Sequence, residues 1–168
     1  DVSDDGLSDE PIRSLELVAR AATGINLYSI ETAILDVQNT TSGNVSLYVN
    51  DVRTSGSRLN GTQITGDVSV ARLAQVDAGT LSLTTQSGSI TVLTGDVSNA
   101  SYLLLNGDAT QSVVHAGSGS VSLTANGAGE DVLLQKDVSS VGNFTITAAD
   151  AITTDTGIDI ALLKSFRN

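Results

Sequence analysis

"GSGSVSLTANGAGEDVLL", residues 117–134, contains no Cys, His, aromatic or basic side chain, and "GTLSLTTQSGSITVL", residues 79–93, says nearly the same thing. In both, Val, Leu and Ile alternate with Ser and Thr, the period-two pattern of a strand with one buried face. Such a strand is too short to bury that face alone. Repeated along the chain, it predicts similar laps stacked so that each strand hydrogen-bonds to its counterpart in the next.

The repetition extends beyond these two phrases. Laying Gly66–Asn106 over Gly107–Ala149 aligns Gly66-Asp67 with Gly107-Asp108, Val76–Gly79 with Val114–Gly117, and Leu81–Thr84 with Val121–Thr124. It also aligns Gly88 with Gly129, Val92-Leu93 with Leu133-Leu134, and Asp96–Ser98 with Asp137–Ser139. Within each unit two strand tracks recur. One runs through Val45–Leu47, Val68–Val70, Ile90–Val92, the region of Val113, and Val132–Leu134. The other runs through Leu15–Leu17, Leu35–Val37, Leu81–Leu83, Tyr102–Leu104, Val121–Leu123 and Phe144–Ile146.

Gly43, Gly66, Gly79, Gly88, Gly119 and Gly142 precede these segments, where turns with positive φ are expected. No sustained helical spacing appears between residues 24 and 160. The predicted fold is therefore all-β: a right-handed parallel β-solenoid, or β-helix, with laps of about 20–23 residues. Inward rows are expected at Val45/Leu47, Val68/Val70, Ile90/Val92, Leu81/Leu83, Val121/Leu123 and Phe144/Ile146. Residues 1–10 read as an acidic, disordered leader, residues 11–160 as one solenoid domain, and residues 161–168 as a cap or the start of a further unit. The first residue is Asp1 rather than Met, as expected of a processed product or a segment of something longer.

Composition narrows the function. The chain has 168 residues and carries 8 Lys and Arg against 19 Asp and Glu, a net charge of −11. That field repels phosphate backbones and anionic headgroups, so nucleic acid and membrane insertion are not expected. Without Cys there is no disulfide, thiolate metal site or cysteine nucleophile. Aromatics are 3% of the chain, so a core must be built from Val, Leu, Ile and Ala.

Taken together, "ARAATGINLYSIETAILDVQNTTSGNVSLYV" (19–49), "AGTLSLTTQSGSITV" (78–92) and "VGNFTITAADAI" (141–152) resemble the repeat region of large bacterial filamentous-haemagglutinin-like surface adhesins. The resemblance runs from about Pro11 to Ile160. It implies an extracellular or cell-surface location and an extended adhesive shaft of β-helical laps. The secretion domain and receptor-binding tip of that family have no counterpart here.

Enzymes also use β-solenoids, which makes each acid, base and histidine a candidate for chemistry. Asp67, Asp96, Asp108 and Asp137 recur at corners, where an Asp bonds turn backbone. His115, the one histidine, stands where the repeat has Asp77, with no nucleophile or ligand spacing around it. Arg53 and Arg58 lie in the irregular stretch VRTSGSRLNGT, which reads as an insertion loop. No catalytic, cofactor-binding or metal-binding residue is assigned, and no cofactor is expected.

The expected function is non-enzymatic and structural, with copies of the chain or adjacent repeats stacking end to end and surface glycans or other cells as binding partners. Two further readings stand beside it: a polysaccharide-binding or polysaccharide-cleaving β-helix, and an ice-binding solenoid, the latter from outward Ser/Thr rows (Ser82/Thr84, Ser122/Thr124, Thr145/Thr147). Asn39, Asn44, Asn60, Asn99 and Asn143 each begin an N-glycosylation triplet.

Overall fold

The computed structural model describes residues 2–3, 12–50, 58–59, 62–63, 65–93, 114–158 and 160–162, and among them no helix forms. Alternating segments such as Val45–Val49, Leu81–Thr85 and Val121–Ala125 become strands whose Val, Leu and Ala side chains are buried while the Ser, Thr and Tyr between them are only half-buried. Sixteen strands follow. They are β1 (Val2–Ser3), β2 (Ile12–Ala21), β3 (Ile25–Asn39), β4 (Val45–Val49), β5 (Arg58–Leu59), β6 (Thr62–Gln63), β7 (Val68–Gln75) and β8 (Leu81–Thr85). After these come β9 (Ile90–Val92), β10 (Val114–Ala116), β11 (Val121–Ala125), β12 (Val132–Leu134), β13 (Val138–Ser140), β14 (Phe144–Ala148), β15 (Ile152–Thr154) and β16 (Ile160–Leu162). Fourteen belong to one all-parallel sheet; β5 and β6 form a separate antiparallel pair.

Register divides the sheet into three ladders, so the fold is solenoid-like. The first stacks β1, the start of β3, β4, β8, β11 and β14, placing Ile25, Val45, Leu81, Val121 and Phe144 in one inward column and Leu27, Leu47, Leu83, Leu123 and Ile146 in the next. The second stacks the start of β7 with β9, β12 and β15: Val68, Ile90, Val132 and Ile152 in one column, Val70, Val92 and Leu134 in the other. The third stacks the ends of β2, β3 and β7 with β10, β13 and β16, bringing Ala19, Val37, Leu73, Val114 and Val138 together. These aliphatic columns form a single core cluster.

Two expectations about organisation are corrected by this register. Three strand tracks run along the chain, not two, and Val45–Leu47 shares its ladder with Leu81–Leu83 rather than with Val68–Val70. The step between equivalent residues is also uneven. Asn44 and Thr80, neighbours at one corner, are 36 residues apart, and Ser118 bonds the Asp77 carbonyl across 41, whereas Ser120 and Asn143 are 23 apart. What looked like a two-lap repeat is one lap enlarged by extra chain. Residues 2–3, within the stretch expected to be a disordered leader, form a strand, since Val2 and Ser3 pair with Ile25 and Asn26. Tyr102–Leu104 and Val113 lie outside the described residues.

Glycine is required at the corners mainly by close approach. A Cβ on Gly79 would strike the Gly43 carbonyl, one on Gly119 would strike the Gly79 carbonyl, and one on Gly142 would meet Gly119. Of the six corner glycines only Gly43 and Gly79 have positive φ, so the general expectation of left-handed turns is replaced by a column of backbones stacked too tightly for any side chain.

Polar side chains close the same corners. Asn39, fully buried, accepts from the Gly24 N–H through Oδ1 and donates through Nδ2 to the Ser42 carbonyl (2.7 Å) and to Gln75 Oε1 (2.6 Å). Gln75 donates on to the Ala78 carbonyl, and two laps later Ser140 donates to the Gly119 carbonyl. Buried amides here satisfy turn backbone that the core cannot.

Candidate functional site

The acids and hydroxyls of the corners mostly bond between laps. Asp67 Oδ1 accepts from the Ser89 N–H (2.9 Å), Ser89 Oγ from the Asp131 N–H (2.9 Å), and Asp131 Oδ1 from the Ala151 N–H (2.8 Å). At the opposite corner Asn44 Oδ1 accepts from the Thr80 N–H and Ser120 Oγ from the Asn143 N–H. Each of these side chains fastens the amide of the following lap. Within its own turn Asp67 accepts from the Thr65 side-chain hydroxyl, and the backbone amide that it was expected to hold in that turn is instead the Ser89 N–H of the next lap. Asp96 and Asp108 lie outside the described residues, as does Arg53.

Among the described residues no three His, Cys, Asp or Glu side chains come together as a metal group. His115 lies on β10 with Ala74 and Ser139 as its ladder neighbours, so in register it replaces Ala74 and not Asp77. Its side chain, like that of Arg58 on β5, lies outside the described residues.

Charge collects on the third ladder. Asp36, with none of its side chain exposed, has Arg20 Nη2 2.7 Å from Oδ2 and Arg72 Nε 3.7 Å from Oδ1. These contacts are ionic: neither carboxylate oxygen has an aligned hydrogen bond. Arg20 also donates to the Asp36 backbone carbonyl, and Arg72 to Gln38 Oε1. Burial lowers the Arg72 pKa, with the Asp36 charge opposing and the Arg20 charge reinforcing that shift. Nearby, Arg13 grips the buried Glu31 carboxylate at 2.6 Å. Sequence reasoning passed over this cluster because its members lie 16 and 36 residues apart and only the register aligns them.

The first ladder presents a different surface. Its outward columns are Asn26, Ser46, Ser82, Ser122 and Thr145, and beside them Tyr48, Thr84, Thr124 and Thr147. No charged side chain occurs in β4, β8, β11 or β14 or in residues 25–30 of β3, although the chain as a whole carries net charge −11. Between Leu27 and Ile30 the register against β4 shifts, so that Tyr28 and Ser29 together oppose Tyr48. Asn50 Nδ2 holds Ser29 Oγ at 2.8 Å, pinning this bulge. Tyr28 is half exposed, one lap from Tyr48. The outward positions of Tyr48 and Tyr28 both follow from alternation, which breaks only after Tyr28, at Ser29.

Among the described residues nothing covers the last lap. Phe144, Ile146 and Ala148 are partly exposed and Ile152 is 50% exposed, while Val121, Leu123 and Val132, one lap earlier in the same columns, are fully buried. The Val132 N–H donates to the Ala151 carbonyl and the Asp155 N–H to the Leu134 carbonyl, both at 2.9 Å. Alternate residues of a parallel ladder bond alternate neighbours, so the amides of Ile152 and Thr154 face off the end of the stack.

No protein family, curated protein or solved structure matches the chain.

Proposed function

We propose that the chain is a structural and adhesive shaft module of an extracellular or cell-surface repeat protein, wound right-handed like the filamentous-haemagglutinin-like repeats that its sequence resembles. Its regular laps run at about 18–24 residues and two are enlarged. The supporting observation is the contrast between Leu123, fully buried, and its ladder partner Ile146, left part exposed on the final lap. Burying an aliphatic side chain of this size stabilises by about 1.5–3 kcal/mol, so a further lap, from an adjacent repeat or another copy, is favoured at that end. Ionic and hydroxyl staples between laps make the shaft a continuous ladder rather than a string of beads.

The test is association of the isolated chain. Light scattering with negative-stain microscopy is expected to show end-to-end oligomers that lengthen with concentration. Thr154→Pro, which removes an amide facing off the stack and none that bonds β12, is expected to cut that association while preserving strand content. A strictly monomeric wild type at all concentrations overturns the reading.

A further inference from the structure

We infer that the uncharged face of the first ladder, centred on Tyr28 and Tyr48, binds a neutral polysaccharide. The inference locates the adhesive surface of the proposed shaft and rests on that reading for its setting. Three observations carry it. First, among the described residues the strands of this face carry no charged side chain although the chain is strongly acidic, which selects against both polyanions and polycations as ligands.

Second, two of the chain's three tyrosines stand on adjacent laps of this face, about 4.8 Å apart by strand spacing. The unbroken register through Leu27 and Leu47 sets Tyr28 against Tyr48, and the extra residue Ser29, held by Asn50, bulges the strand beside them, as happens at many binding surfaces. An aromatic ring offers an apolar surface with a polar tip, suited to the C–H face and hydroxyl rim of a sugar.

Third, Ser46, Ser82, Thr84 and Thr124 continue the surface with hydroxyls that both donate and accept, matching sugar hydroxyls without demanding a charge. The ligand is therefore an extended neutral glycan lying across the laps. Ice is the less suited lattice, because two tyrosine rings break the flat hydroxyl rows.

Native affinity electrophoresis tests this with gels containing hydroxyethyl cellulose, mixed-linkage β-glucan or dextran, set against heparin and polygalacturonate. The wild-type chain is expected to be retarded by at least one neutral polymer and by neither charged one. Tyr28→Ala/Tyr48→Ala is expected to bind roughly tenfold more weakly or worse, as truncated aromatic anchors do, with an unchanged melting temperature. Tyr28→Phe/Tyr48→Phe is expected to keep most of the retardation. Absence of retardation in every neutral gel, retardation by the polyanions alone, full binding by the double alanine variant, or inhibition of ice recrystallisation each overturns the inference. End-to-end association without glycan binding overturns this inference and leaves the shaft standing; glycan binding by a strictly monomeric chain does the reverse.

Discussion

Asn39 Nδ2 donates to Gln75 Oε1 at 2.6 Å inside the molecule, joining two laps through residues 36 apart in the chain. Asn39 serves four groups at once, including the Gly24 N–H and the Ser42 carbonyl. Asn39→Ala is therefore expected to destabilise by more than Gln75→Ala, each by about 1–3 kcal/mol per polar group left unpaired. Thermal melting followed by circular dichroism checks the order. Because Asn39 is fully buried and fully engaged, its glycosylation triplet is also expected to stay unmodified.

Core position governs the next outcome. Leu123→Ala is expected to cost about 2–5 kcal/mol, and Leu123→Asp to unfold at least the neighbouring laps. Ile152→Ala, on the open lap at 50% exposure, is expected to cost well under half as much as Leu123→Ala. Equal losses at the two sites in denaturant titrations would contradict the assignment of the last lap as open.

A methyl group at Gly119 would collide with the Gly79 carbonyl, whereas Gly129, with φ +80°, has nothing within 4 Å of an added Cβ. Gly119→Ala is expected to destabilise through overpacking by about 1–3 kcal/mol or more, and Gly129→Ala by its backbone strain alone, about 1–2 kcal/mol. The larger loss should belong to Gly119 in chemical denaturation.

Asp36 sits between two guanidinium groups. Asp36→Asn leaves Arg20 and Arg72 facing each other without their carboxylate, and a loss of about 3–5 kcal/mol is expected from breaking a buried ion cluster. Replacing Arg20, the more exposed partner, by Met is expected to cost less. Equilibrium unfolding of the two variants checks the ranking.

Much of this architecture is legible in the residues themselves. Alternation places Val45, Leu81, Val121 and their neighbours inward, and the match of Leu81–Thr84 to Val121–Thr124 is the register found. The match of Val76–Gly79 to Val114–Gly117 is not, since Leu73–Gln75 pair with Val114–Ala116. "GSGS" at 117–120 offers two glycines, and the stacked counterpart of Gly79 is Gly119, not Gly117. Identity of a small residue does not say which corner it turns. Similarly, Val92 pairs with Leu134 rather than Leu133, because an aliphatic pair has no feature to fix the one-residue choice. The ion cluster and the tyrosine pair depend on which laps lie side by side, which local pattern does not encode.

The stacking of laps about one axis is tested most directly by distances between spin labels. The chain has no cysteine, so labels placed by Asn26→Cys and Thr145→Cys report only that pair. These residues stand four laps apart in one column running through Ser46, Ser82 and Ser122. Four strand steps of about 4.8 Å set them roughly 19 Å apart. A narrow distribution near that value, with strong dipolar broadening in a Ser82→Cys/Ser122→Cys pair one step apart, is the predicted result; a broad distribution or a separation beyond about twice the four-step spacing would contradict stacked laps.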